Sequence, residues 1–156
     1  MKQKDPLAYI GRDLEAMSYA KNYYAWIIEG IRPYVGKRIL EIGAGNGTFT
    51  DFLLGTRPTQ IHSVEPSTKT YKEFVQKHAH NPRVTSDQGT LKQHVSKFKG
   101  AMTSAVYINV MEHIEDDFAE FDLAYKALKP GGKLIVYVPA LQAIYGEFDS
   151  KVGHYR

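Results

Sequence analysis

Glu41 lies two residues ahead of a glycine-rich turn, in Leu40-Glu41-Ile42-Gly43-Ala44-Gly45-Asn46-Gly47. A second carboxylate, Glu65, follows 24 residues later at the end of an apolar run, and Asp87 closes a third run. Glycines at 43 and 45 let a backbone turn sharply and lie against a ligand with no Cβ in the way. A helix starting near Gly47 directs unpaired N–H groups at the same crevice. Together these features suit an adenosine-containing cofactor. Glu65 could accept both hydroxyls of a ribose, and Pro66 beyond it could face the adenine. Asp87 could accept from the adenine amino group while Gln88 or Gly89 offers a backbone N–H. Asp-Gln-Gly is equally an ordinary turn.

The spacing separates two cofactor classes. A dinucleotide fingerprint reads G-x-G-x-x-G, but here the third glycine comes one residue early and the last fingerprint position is Thr48. Glu41 would repel a pyrophosphate, yet it could accept hydrogen bonds or attract a cationic amino-acid moiety. The favoured reading is S-adenosylmethionine. A nicotinamide or flavin dinucleotide, and a glycine turn with a structural role only, are the alternatives.

The elements that must position these residues alternate along the chain. Residues 12–31 read as an amphipathic helix, with Leu14, Met17, Tyr24, Ile27, Ile28 and Ile31 near helical spacing, ended by Pro33 and Gly36. Strands are predicted at 38–42, 61–65, 83–86, within 101–109, and at 133–138. Helices are predicted at 48–54, 70–79 and 115–128, with a short one over 90–98. Lys129-Pro130-Gly131-Gly132 reads as a tight turn. Strand and helix in alternation imply an α/β fold, a mostly parallel sheet covered by helices on both faces. The domain organisation expected is an N-terminal helical segment, 1–36, packed on a cofactor-binding domain, 37–156, in one structural unit.

Composition narrows the classes further. The net charge of +3 is too small to argue for nucleic acid as a partner. No segment offers the roughly 18–20 apolar residues of a membrane span, and the N-terminus lacks the apolar stretch of a signal peptide. With no cysteine there are no disulfides, thiol nucleophiles or thiolate metal sites, which fits a cytoplasmic protein.

Four motifs in order, Leu-Glu-Ile-Gly-Ala-Gly-Asn-Gly at 40–47, Val-Glu-Pro-Ser at 64–67, Asn-Val-Met-Glu-His-Ile-Glu-Asp-Asp at 109–117 and Leu-Lys-Pro-Gly-Gly-Lys-Leu at 128–134, carry a family likeness. The chain resembles the class I S-adenosylmethionine-dependent methyltransferases, with a Rossmann-like fold, from about Tyr19 to Arg156. The resemblance implies that Glu41 and the turn of Gly43, Ala44, Gly45 and Asn46 meet the methionine part of the cofactor. It implies that Glu65 holds the ribose and that Asp87 and Gln88 surround the adenine. Asn109 and Val110 would lie beneath the sulfonium, and Tyr19 or Tyr23 could close over the methionyl group. The tail from Pro139 is similar to a bacterial subgroup acting on small molecules, where this stretch forms part of the acceptor side. The family normally has seven strands and this sequence supplies five. A shortened chain is therefore expected, with an open sheet edge through which two copies could pair.

The expected reaction is methyl transfer to oxygen, nitrogen or carbon of a small-molecule or glycan-precursor acceptor. Alternatives are a cofactor-binding domain without transfer activity and an NAD-dependent oxidoreductase. His113, with Glu112 beside it, is the tentative catalytic base; capping or packing the next helix, or shielding the cofactor, is its competing role. His154 is a further functional candidate, in the tail. His78 and His80 lie near a helix end without matched acidic partners, and no metal set is discernible. The Asn109-Val110-Met111-Glu112 run departs from the Asn/Asp-Pro-Pro-Tyr/Phe pattern of adenine- and glutamine-directed enzymes, which lowers those substrates.

Overall fold

A computed structural model describes residues 20–138 together with 146, 147, 149 and 153–155. Five parallel strands form one sheet: β1 (Arg38–Ile42), β2 (Gln60–Glu65), β3 (Val84–Gln88), β4 (Met102–Ile108) and β5 (Leu128–Tyr137), in the order β3-β2-β1-β4-β5. Helix α1 (Lys21–Ile31) precedes β1, and α2 (Thr48–Leu54), α3 (Thr68–His78), α4 (Leu91–His94) and α5 (Asp117–Ala127) run between the strands. The expected α/β class is the observed one.

Alternation along β1 divides the core. Leu40 and Ile42 point to one face, where they pack with Val64, Leu91, Tyr107, Ala124 and Ala127. Ile39 points to the other, among Ile27 and Ile28 of α1, Phe49 and Leu53 of α2, and Ile61 and Val106. Burying helices against both faces leaves strands with few polar positions, as parallel sheets require. Glu41 shares the face of Ile39 and is itself buried. The order reverses at β1, with β2 on one side and β4 on the other. Ligand crevices in such sheets open beyond the carboxyl ends of the strands at that point.

One element differs from the sequence reading. The expected turn at Lys129-Pro130-Gly131-Gly132 lies inside β5, which already begins at Leu128. Its pairing with β4 jumps from Met102–Leu128 to Ser104–Lys133, so the Pro-Gly-Gly stretch is looped out of the ladder without ending the strand. Pro130 has no N–H to offer the ladder, and Gly131 takes φ +76°, which the ladder cannot hold. β3 and β5 are the two edges of the described sheet. No helix among the described residues is long and apolar enough to cross a membrane. Tyr19 and the helix expected over 12–19 lie outside the described residues.

Candidate cofactor site at the strand ends

β1 ends at Ile42, and Gly43, Gly45 and Gly47 all adopt positive φ before α2 begins. Gly43 N–H donates to the Val64 carbonyl at 2.8 Å, which fastens the turn to β2. Asn46 Oδ1 accepts from the Thr48 N–H and hydroxyl, at 3.2 and 2.7 Å, and so steadies the first turn of α2. Gly47 is held from the far side: a Cβ there would fall 2.5 Å from His78 Nε2. His78, expected to lack an acidic partner, is buried with Nε2 3.8 Å from Asp51 Oδ1.

Glu41 does not reach out freely from the strand. Its Oε2 accepts from Thr50 Oγ1 of α2 and Ser63 Oγ of β2, both at 2.7 Å. Ser63 is its register partner across the parallel pair. Burial pushes the Glu41 carboxyl up to about 7, against the two hydroxyl donors, which pull it down. A raised folded-state pKa favours the folded state when the group is protonated. That stability is complete below the ordinary value of 4.5 and is lost as pH rises through about 7. Relative to Glu41→Gln, the wild type is therefore expected to lose on the order of 3 kcal/mol between pH 5 and pH 8 in urea unfolding. Parallel stability curves for the two proteins would refute this.

Glu65 closes β2 as a buried carboxylate with three donors. Oε2 accepts from Gly45 N–H at 2.8 Å, and Oε1 from Ser67 N–H at 2.8 Å and Thr70 Oγ1 at 2.9 Å. It ties the glycine turn to the start of α3. Burial holds its pKa above the usual carboxylate value, opposed by the Ser67, Gly45 and Thr70 donors. Pro66, half-buried, follows directly.

Asp87, on the edge strand β3, is engaged by side chains. Its carboxylate meets Lys97 Nζ at 2.7 Å and His62 Nε2 at 2.9 Å. Burial would raise its pKa, but the bonds from Lys97 and His62 hold it below the usual value. Gly89 N–H is donated to the Glu65 carbonyl at 3.0 Å, and Gln88 reaches Thr68 through its side-chain amide at 2.8 Å. Of the three acids read from the sequence, only Glu65 is bonded to the glycine turn, while Glu41 is held between α2 and β2 and Asp87 is engaged in an ion pair.

Asn109 adopts φ +54° just after β4, with its N–H on the Tyr137 carbonyl at 2.8 Å. Its Oδ1 accepts from Tyr23 OH at 3.3 Å, which brings α1 to the end of β4. Burial raises the Tyr23 phenol to about 12, so it remains a donor. Val110 packs on Gly43: a Cβ there would come 2.4 Å from Val110 Cγ2. Glu112 is buried, and His113 lies beside it with its ring 4.7 Å from that of His154. Sequence reasoning did not find Thr50, Ser63 or Thr70 as partners of the acids. The inward face of α2 and the alternation of β2 are the signals that mark the first two.

A family model described as a methyltransferase domain matches residues 18–154. The ubiquinone biosynthesis O-methyltransferase of Erwinia tasmaniensis is 25% identical over 114 residues, covering 70% of this chain and 45% of that protein. Phosphoethanolamine N-methyltransferase 2 of Haemonchus contortus, solved with S-adenosyl-L-methionine, superposes with a TM-score of 0.71 at 24% identity, over 86% of this chain and 33% of that one. A SAM-dependent methyltransferase from Archaeoglobus fulgidus gives 0.69 at 15% identity, over 87% and 61%. The structural likenesses concern the fold, and the chain spans less than two thirds of each of these relatives.

Proposed function

The chain belongs to the methyltransferase-domain family, and from that premise we propose that it binds S-adenosylmethionine at the carboxyl ends of β1 to β4 and methylates a small-molecule or glycan-precursor acceptor. The observation that carries the reading is Glu65, a buried carboxylate at the end of β2 bonded to the backbone of the glycine turn. A carboxylate has about four acceptor positions, and three donors occupy Glu65. One ribose hydroxyl fits the remaining position. A second fits by exchange with Gly45 N–H, which is then released toward the ligand. The residues present therefore fit the cofactor with one exchanged hydrogen bond.

When bound, S-adenosylmethionine supplies an electrophilic methyl group on a sulfonium. The protein's task is alignment and exclusion of water. Gly43, Ala44, Gly45 and Asn46 would border the methionyl end, with Glu41 behind them. Pro66, Asp87 and Gln88 would border the adenine. Asn109 and Val110, with Tyr23 above Asn109, would border the reacting end; Tyr19 is proposed there from the sequence alone. His113, in the turn after β4, would face the acceptor and take a proton from an ionisable one.

Calorimetric titration of S-adenosylhomocysteine into the chain tests the reading. One saturable site is expected, unaffected by NADH. A folded chain that gives no binding, or whose site NADH competes for, would overturn it.

A further inference from the structure

The mechanism above leaves one buried group unused. Glu112 is only 2% exposed, and its Oε2 has no hydrogen-bond partner among the described residues. An unpartnered buried carboxylate oxygen is costly. The carboxylate stands beside two histidines. One ligand atom from each of Glu112, His113 and His154 lies within 4.8 Å of the others. His154 comes from the tail, whose backbone docks here through Tyr155 N–H to the Glu112 carbonyl at 2.8 Å.

The tail also holds His154 in a set orientation. Its Nδ1 lies 3.0 Å from Asp149 Oδ1, and its N–H donates to the Asp149 carbonyl at 2.9 Å. Asp149 is fixed in turn, because its Oδ2 accepts from Gly146 N–H at 2.8 Å. A histidine that gives its Nδ1 proton to a carboxylate carries its lone pair on Nε2. This carboxylate–histidine pairing is the outer arrangement that orients metal-bound histidines.

We propose that Glu112, His113 and His154 bind a divalent transition-metal ion, with Asp149 positioning His154. Two imidazoles and one carboxylate suit zinc, cobalt or ferrous iron better than magnesium or calcium. Tetrahedral ligands about 2.0–2.2 Å from zinc stand about 3.3–3.5 Å apart. The present separations, all within 4.8 Å, therefore need closure of at most about 1.5 Å, within reach of side-chain rotation. Three protein ligands leave a position for an outside donor. At the carboxyl end of β4 that donor would be an oxygen or nitrogen of the acceptor. A ligated His113 would orient the acceptor through the metal instead of acting as a base. The site does not depend on the cofactor assignment.

Zn2+ titration of the chelator-stripped, untagged chain by calorimetry, with Co2+ absorption as a second readout, tests the proposal. One ion per chain is expected at micromolar affinity or tighter, not displaced by millimolar Mg2+, with visible Co2+ bands of nitrogen–oxygen ligation. Glu112→Gln and His154→Gln should each weaken binding at least about thirtyfold. Asp149→Asn should weaken it about tenfold, and His80→Gln, in the exposed connection between α3 and β3, should leave it unchanged. Thermal melts of each variant without metal show that it is folded, and the gain in Tm on adding Zn2+ should be full in the wild type and His80→Gln, smaller in Asp149→Asn, and smallest in Glu112→Gln and His154→Gln. A folded wild type without saturable binding, or binding unchanged within about threefold in Glu112→Gln and His154→Gln, overturns the site. Binding of S-adenosylhomocysteine is read separately, so failure here leaves the methyltransferase reading intact.

Discussion

Glu65→Ala is expected to weaken S-adenosylhomocysteine binding at least about a hundredfold. Two hydroxyl-to-carboxylate bonds at about 1.5–3 kcal/mol each account for that loss. The same carboxylate serves the scaffold, because it receives Gly45 N–H, Ser67 N–H and Thr70 Oγ1. Its removal leaves three donors without that acceptor, so the melting temperature should also fall. Thr70→Val separates the two roles. It deletes one scaffold bond at a cost of about 1 kcal/mol and leaves the face toward the glycine turn untouched. Its affinity should stay within about threefold of the wild type. Glu65→Gln should fall between, because the amide keeps one acceptor oxygen but turns an NH2 toward groups that are themselves donors. Calorimetry on all three variants, each shown folded by its melt, checks the order. A folded Glu65→Ala protein that binds within threefold of wild type would remove Glu65 from the site.

How much of this site was legible depended on how local its signals are. β1 and α2 are bounded by Gly36, Gly43, Gly47 and Gly55, and their observed limits, Arg38–Ile42 and Thr48–Leu54, are the predicted ones. Glycine and apolar periodicity act within a few residues, so a sequence displays them directly. Glu65 was legible as a strand-end acid for the same reason. Its bond to Gly45 spans 20 residues and exists only once β1 and β2 lie side by side. The looped-out Pro-Gly-Gly stretch of β5 was misread because those residues mark turns by their own preference, while pairing with β4 resumes beyond them. Asp87 was legible as an acid at a strand end, but its partners Lys97 and His62 come from a later helical turn and a neighbouring strand. The meeting of His113 with His154, 41 residues apart, has no local signal at all.

Gly43→Ala should destabilise the protein markedly. Gly43 sits at φ +67°, and the added Cβ would stand 2.4 Å from Val110 Cγ2. The left-handed backbone costs a non-glycine residue about 1–2 kcal/mol, and overpacking a close contact adds about 1–3 kcal/mol. A total of about 2–5 kcal/mol corresponds to a fall in Tm of about 4–20 °C for a chain of this size. The two contributions respond differently to a second change. Val110→Ala opens the space that the new methyl needs but does nothing for the backbone angle. In the double variant the overpacking part should vanish and the conformational part should persist. A double-mutant cycle should therefore return a favourable coupling of about 1–3 kcal/mol between positions 43 and 110. Additive effects would mean that Val110 yields without cost and that the backbone angle alone demands glycine. Full coupling, with the double variant no less stable than Val110→Ala, would mean the reverse. Because Gly43 N–H anchors the turn to Val64 at 2.8 Å, a turn displaced by the methyl cannot keep Gly45 on Glu65, and affinity for S-adenosylhomocysteine should fall with stability in the single variant and recover in part in the double one.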